Sequence, residues 1–273
     1  MERVRNVCNP AFIRGMAVGV ATRIAGLLPG GIRARGRDWF ETQFRGTPPA
    51  MLRFRDSELI PSLDMVLSHY RVKQPRVRYL QVGAFDGIAG DPIFHLIERH
   101  GLRGILIEPQ KDAFERLRAN YARFPGFQFV NAAIAEHDSW STLFRIRPGA
   151  RGPEWLHQIA SFDRSIVMRH AHLVPNLESM IETEQVRTVT FPTLFNEVGV
   201  ENVDMLQIDA EGLDAQILEW FDIPLRRPPM VRFEHKHLSF ADHEKSIRLL
   251  IQNGYKVTAL GTDTLAYRES ASL

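Results

Sequence analysis

Glu108 closes one apolar strand and lies 25 residues after Gly83, which opens the turn at the end of another, Tyr79 to Val82. Open α/β sheets gather ligands at the carboxyl ends of their strands. A glycine turn lets backbone approach the ligand there, and an acid about 20 residues on can hold ribose hydroxyls. The pair therefore reads as a site for a nucleoside-bearing cofactor. The dinucleotide pattern Gly-x-Gly-x-x-Gly is absent: Gln81 stands where its first glycine would fall, and Gly87 is out of step. A diphosphate needs bare amides at a helix N-terminus, whereas this turn offers Asp86 and then Asp91. Carboxylates suit a cationic ligand, and S-adenosylmethionine (SAM) carries a sulfonium and an ammonium group.

A second set of reactive side chains comes later. Asp209-Ala-Glu-Gly212 follows a fourth apolar strand, and Glu234-His235-Lys-His237 follows a fifth. Alternation puts His235 and His237 on one side if the strand reaches that far. Imidazole titrates near neutrality, so either could take a hydroxyl proton or orient an acceptor, with Asp209 or Glu211 positioning it. Hydrogen-bonded structural histidines are the plain reading of each taken singly. A metal on His235, His237, Asp209 and Glu211 is conceivable, but the spacing specifies none and none is assigned. His157, His170 and His172 are the alternative bases. Cys8 is the single cysteine, which leaves no disulfide framework, no cysteine-based zinc site and no Pro-Cys nucleophile. No Asn/Asp-Pro-Pro-Tyr follows the fourth strand, which argues against methylation of base amino groups.

Strands alternating with helices must position these groups, which predicts an α/β doubly wound sheet. Core strands are expected at 79–82, 104–108, 127–130, 203–208 and 230–233, with a closing hairpin of 255–260 and 264–267 around Gly261-Thr-Asp263. A helix from Ser57 to Tyr70 is expected with Ser57 as its cap. Asp91 suits a cap with Pro92 at the first helical position, and Asp112 with Glu115 has capping-box spacing. Short extra strands are expected at 142–147 and 186–191. The stretch at about 148–186 has no clean period and reads as a long insertion of the kind that forms lids and binding loops.

On these residues the chain resembles the FkbM-type SAM-dependent methyltransferases. The matching pieces run in family order from about residue 75 to 268. They are Gln81-Val-Gly-Ala-Phe-Asp-Gly87, Asp91-Pro92, Ile107-Glu-Pro-Gln110, Asn131-Ala-Ala-Ile134, Asp204-Met-Leu-Gln-Ile-Asp-Ala-Glu-Gly212 and Phe233-Glu-His-Lys-His-Leu238. The family's usual Asn before Asp-Gly is Phe85 here. The resemblance implies a Rossmann-like, seven-stranded sheet of the class I SAM-dependent methyltransferase type. It implies O-methylation of a hydroxyl on a sugar, polysaccharide or secondary metabolite. It further implies a SAM site built from Gln81, Gly83, Asp86, Gly87, Asp91, Glu108 and Pro109, with Asn131 and Ala132 near the adenine. Two other classes stay open: a non-catalytic SAM-binding or membrane adaptor, and a nicotinamide oxidoreductase.

Composition sets the frame. The 273 residues suit one large domain, taken as 51–273, preceded by an arm and linker at 1–50; 44% hydrophobic residues can build a full core. Residues 1–37 hold seven of the 34 basic residues and one of the 32 acidic ones, leaving 27 against 31 in the remainder. A nucleic-acid-binding body is not indicated. The basic arm is too interrupted for a membrane span or a clean secretory signal. A solvated arm, an interfacial segment on anionic lipid and an organelle transit peptide all remain. The expected setting is cytoplasmic, with peripheral membrane contact through the arm.

Overall fold

The computed structural model describes residues 62–200 and 202–268. The readings of the arm and of Ser57 lie outside them. In chain order the helices are α1 (Leu63–Lys73), α2 (Phe94–His100), α3 (Lys111–Tyr121), α4 (Arg164–Met168), α5 (Phe191–Val198), α6 (Asp214–Trp220), α7 (Ile223–Arg226) and α8 (Phe240–Gln252). The strands are β1 (Arg78–Val82), β2 (Arg103–Ile107), β3 (Phe127–Val130), β4 (Ala133–Ile134), β5 (Ser139–Ile146) and β6 (Ala160–Ser161). They continue as β7 (Ile181–Val189), β8 (Met205–Ile208), β9 (Met230–Glu234), β10 (Tyr255–Leu260) and β11 (Asp263–Arg268).

Seven strands form one sheet in the order β10-β11-β9-β8-β1-β2-β3. β3, β2, β1, β8 and β9 are parallel, and β11 lies antiparallel between β9 and β10. This is the doubly wound, seven-stranded sheet expected from the class I methyltransferase type. Side-chain alternation sends Leu80, Val82, Leu206, Ile208 and Phe233 to the face packed by α5, α6 and α8. Tyr79, Leu106, Met205 and Met230 go to the face packed by α1, α2 and α3. Both faces of the central strands are covered, so these strands are mostly apolar, interrupted by Gln81, Gln207 and Arg232. The chain winds one way from β1 to β3 and the other way from β8 to β9. The crevice at that switch point, above the carboxyl ends of β1 and β8, is where a ligand fits.

The expected insertion takes another form. β5 and β7 pair antiparallel over their whole lengths, from Ser139 opposite Thr188 to Ile146 opposite Ile181. With β4 and β6 they make a second sheet in the order β4-β7-β5-β6. Residues 147–180 form the tip of this arm, where Leu156, Ile159, Val167, Val174 and Leu177 make a small core with Ile146 at the end of β5. The first half of β7 keeps Glu182, Thr183 and Gln185 largely in solvent, so no apolar alternation marks it.

Helix starts differ from expectation as well. Ser62 caps α1, accepting from the Met65 amide at 3.3 Å. α2 begins after Ile93, and Asp91 instead accepts the Ile93 amide through Oδ1 at 2.7 Å. α3 begins after Gln110, with Asp112 in its first turn.

Candidate active site

The turn after β1 has positive φ at Gly83, Phe85 and Gly87. A Cβ on Gly83 (φ 79°) would sit 1.8 Å from the Asp209 carbonyl oxygen, so glycine lets β1 and β8 diverge this closely at their ends. Phe85 has φ 46°, a region that suits Asn and strains a bulky side chain. The family's usual Asn at this position thus has a backbone reason. Here Phe85 is held by its amide, which donates to Glu108 Oε2 at 2.7 Å, and by the Arg116 guanidinium 5.2 Å from its ring centre. Glu108 Oε1 accepts the Gln110 amide at 2.8 Å. Each carboxylate oxygen therefore keeps a lone pair for a ligand hydroxyl. Glu108 is 3% exposed, and burial pushes its carboxyl up to about 7.

A cavity opens over these groups. Gln81, Gly83, Asp91, Glu108, Pro109 and Ala132 of the expected cofactor set line it. Gln81 donates to Asp91 Oδ2 at 3.1 Å, while its own Oε1 is buried with no partner. That orphaned acceptor, with the carboxylates of Asp91 and Asp209, forms an acceptor-rich wall suited to an ammonium and a sulfonium. Glu108 on the opposite flank suits the ribose, so the residues present fit SAM.

Asp86, Gly87 and Asn131 do not line the cavity. Asp86 Oδ1 accepts the amides of Ile88 and Ala89 and closes the turn. Gly87 abuts α3: a Cβ there would fall 2.3 Å from Tyr121 Cε2. Asn131 donates to the carbonyls of Glu108 and Pro109 at 2.8 and 3.0 Å. All three shape the site from behind. Their residue types carry a turn signal, which sequence cannot separate from ligand contact.

A second cavity adjoins the first and shares Gly90, Pro92, Gln158, Asp209 and Glu211 with it. Arg232, Glu234 and Lys236 line it from the end of β9, and Trp155 and Ile159 line it from the arm. Arg232 pairs with Asp263 at 2.7 Å and donates to Gln207 at 3.1 Å. Burial, with Asp263's charge nearby, pushes Asp209 up to about 6. Burial, with Asp209's charge nearby, holds Glu211 and Glu234 above the usual carboxylate range. Asp214, first residue of α6, is pushed up to about 8 by burial while accepting the amides of Ala210 and Gly212.

The two histidines do not share a side. β9 ends at Glu234; His235 still lies on the face of Phe233, both rings against His243, and the alternation is lost by His237. His235 Nδ1 meets Thr264 Oγ1 at 3.0 Å, and its ring stacks on His243 at 4.4 Å. It lines neither cavity, and burial pulls it down to about 4. His237 turns the other way, its Nε2 lying 3.1 Å from Glu211 Oε2 and 3.7 Å from Glu234 Oε2. Burial pulls it down to about 3. His170 packs against His237 at 5.5 Å, His157 meets the Ala150 carbonyl, and His172 meets the Arg169 carbonyl. Sequence reasoning missed Arg232, Glu234 and Lys236 as wall residues. Their even spacing was the available signal, since Phe233 and His235 take the opposite, packed face. Nothing in the sequence marks Trp155 or Gln158, because only the ribbon brings them over the sheet.

The family model described as "Methyltransferase FkbM domain" matches residues 81–257. No curated protein matches the chain. Among solved structures, the methyltransferase FkbM from Methylobacillus flagellatus KT aligns with a TM-score of 0.47 and 12% identity, over 92% of this chain and 59% of that one. This chain thus spans less than two thirds of that protein's length. The O-methyltransferase from Bacillus cereus in complex with SAH aligns with a TM-score of 0.40 and 12% identity, over 92% of this chain and 97% of that one. Aeropyrum pernix fibrillarin with natively bound S-adenosyl-L-methionine aligns at 0.34 and 11% identity, over 71% and 67% of the two chains.

Proposed function

The chain belongs to the FkbM methyltransferase family, and from that premise we propose that it methylates a hydroxyl group on a sugar, polysaccharide or secondary metabolite, using SAM. The observation that carries the reading is the junction of two cavities at Asp209, one acceptor-walled and suited to the cofactor, the other lined by Arg232, Glu234 and Lys236. Such a lining of alternating charge suits a polyhydroxylated acceptor better than an apolar one. Glu108 would take the ribose hydroxyls, and Gln81 with Asp91 the ammonium. Bound there, SAM supplies a methyl on a sulfonium sulfur, whose S–C bond breaks, with the electron pair left on sulfur, as the acceptor oxygen forms its C–O bond.

The chain's own work is positioning and proton removal. Asp209 stands where the two cavities meet, so in this reading it receives the hydroxyl proton, in place of His235. Holding the two reactants in line accounts for most of the rate, and a placed base adds roughly 10²–10⁴-fold. The test has two stages. Calorimetry with S-adenosylhomocysteine (SAH) and with NAD asks which cofactor binds; binding of NAD but not SAH defeats the reading. Uptake of labelled methyl from SAM is then measured across sugars, glycans and hydroxylated natural products. SAH binding without uptake on any of them would point to the adaptor instead.

A further inference from the structure

Glu211, Glu234 and His237 come from two different loops, after β8 and at the end of β9, yet their side chains converge on one point. Glu211 Oε2, Glu234 Oε2 and His237 Nε2 lie within 4.8 Å of one another. All three atoms are buried, and none has a hydrogen-bond partner. His237 Nε2 stands 3.1 Å from one carboxylate oxygen and 3.7 Å from the other, without hydrogen-bond geometry to either. The His237 side chain is 7% exposed, and it aims its free nitrogen between the two acids. Buried polar atoms are nearly always partnered. Three unpartnered ones on a common point indicate a missing partner that all three share.

A proton is a poor candidate for that role, since it can bridge only two atoms. The donor spacing suits an ion better. Ligands about 2.1 Å from a tetrahedral centre stand about 3.4 Å apart, and the two separations from His237 Nε2, 3.1 and 3.7 Å, bracket that value. We infer that Glu211, Glu234 and His237 form a divalent metal site. One imidazole with two carboxylates favours Mn²⁺, Fe²⁺ or Zn²⁺ over Ca²⁺ or Mg²⁺, which take oxygen ligands alone. Glu211 is also held at φ 48°, so the backbone aims this side chain at a cost an unused acid does not need. Glu211 and Glu234 both line the second cavity, so a coordination position left open by three protein ligands faces it. An acceptor oxygen could take that position. This last step rests on the methyl-transfer reading, whereas binding of the ion does not.

The test uses the untagged full-length chain, stripped with chelator and titrated with Mn²⁺. Electron paramagnetic resonance counts the free aqueous ion, and competition with Zn²⁺ follows. About one ion per chain is expected, with electron spin-echo modulation from a coordinated imidazole nitrogen in the wild type. Glu234→Gln and His237→Ala should each weaken binding at least about tenfold, while SAH affinity stays within about twofold. Absence of stoichiometric binding of both Mn²⁺ and Zn²⁺ overturns the site. So does a bound Mn²⁺ without the nitrogen modulation, which needs no variant to fold. SAH binding is read separately, so losing the metal site leaves the transferase reading intact, and the reverse.

Discussion

Replacing Glu108 by Gln tests the proposed cofactor site at a buried carboxylate. In the wild type the two carboxylate oxygens serve the Phe85 and Gln110 amides at 2.7 and 2.8 Å. A glutamine can serve one of them and turns an NH₂ group on the other. Loss of a charge-assisted acceptor costs about 1.5–3 kcal/mol, so SAH should bind roughly 10- to 150-fold more weakly. The proton balance gives a sharper readout. Burial pushes the Glu108 carboxyl from 4.5 up to about 7, with the Arg145 charge opposing the rise and that of Asp112 adding to it. Ribose hydroxyls donate to the carboxylate and drive the proton off. Wild-type SAH binding at pH 7 should therefore release about half a proton from this group, rising to about 0.9 at pH 6 and falling to about 0.1 at pH 8. The Gln variant should lack that component. Asp91 and Asp209 contribute equally to both proteins and cancel in the difference. Calorimetry in two buffers of different ionisation enthalpy measures it. Wild-type affinity in the variant, or identical proton release in both proteins, removes Glu108 from the ribose. Stability changes in the same direction: the folded state holds this proton to higher pH than the unfolded one, so the contribution is full below pH 4.5 and declines by about 3 kcal/mol as pH rises through 7. Denaturant titrations of the ligand-free wild type should show this slope, and those of the variant should show less of it.

Gly83→Ala places a Cβ 1.8 Å from the Asp209 carbonyl oxygen at φ 79°, so stability should fall by more than about 3 kcal/mol and SAH binding should be lost; a thermal melt within a few degrees of wild type would contradict the account of that turn. Phe85→Asn relieves strain of about 1–3 kcal/mol but gives up the Arg116 contact of about 0.5–1 kcal/mol, so a net gain in denaturant-derived stability is expected, and a loss would show that the aromatic ring matters more than the backbone. Asp209→Asn should lower methyl transfer about 10²–10⁴-fold at saturating SAM, with SAH affinity changed only a few-fold; near-native turnover would move the proton acceptor elsewhere.

Sequence carried the sheet further than the site. The central parallel strands are buried and mostly apolar, and glycines mark several of the turns. β3 and β10 were legible to the residue, and the other strands of the seven-stranded sheet to within two residues. The ribbon of β5 and β7 was not, because much of it faces solvent and its pairing spans the whole of residues 147–180. Local signals brought together residues that line the first cavity, since Gln81, Gly83, Asp91 and Glu108 sit within one strand-turn-helix-strand unit. They failed where a side chain's direction depends on where a strand stops. His235 and His237 looked equivalent by spacing, yet β9 ends before both and the chain turns between them. Asp86, Gly87 and Asn131 are the types a ligand turn needs, and the turn itself uses them.

The ribbon arm also bears on how this chain could change over generations. The tip, residues 147–180, packs around its own small cluster, joins the sheet domain through two paired legs, and supplies Trp155, Gln158 and Ile159 to the second cavity. Gln158 with Ala160, Ser161 and Phe162 also lines the first cavity, whereas Trp155 and Ile159 line the second alone. Replacements at Trp155 and Ile159 can therefore reshape the second cavity without touching the lining of the first. A library confined to these two positions would vary the proposed acceptor cavity on an inherited sheet.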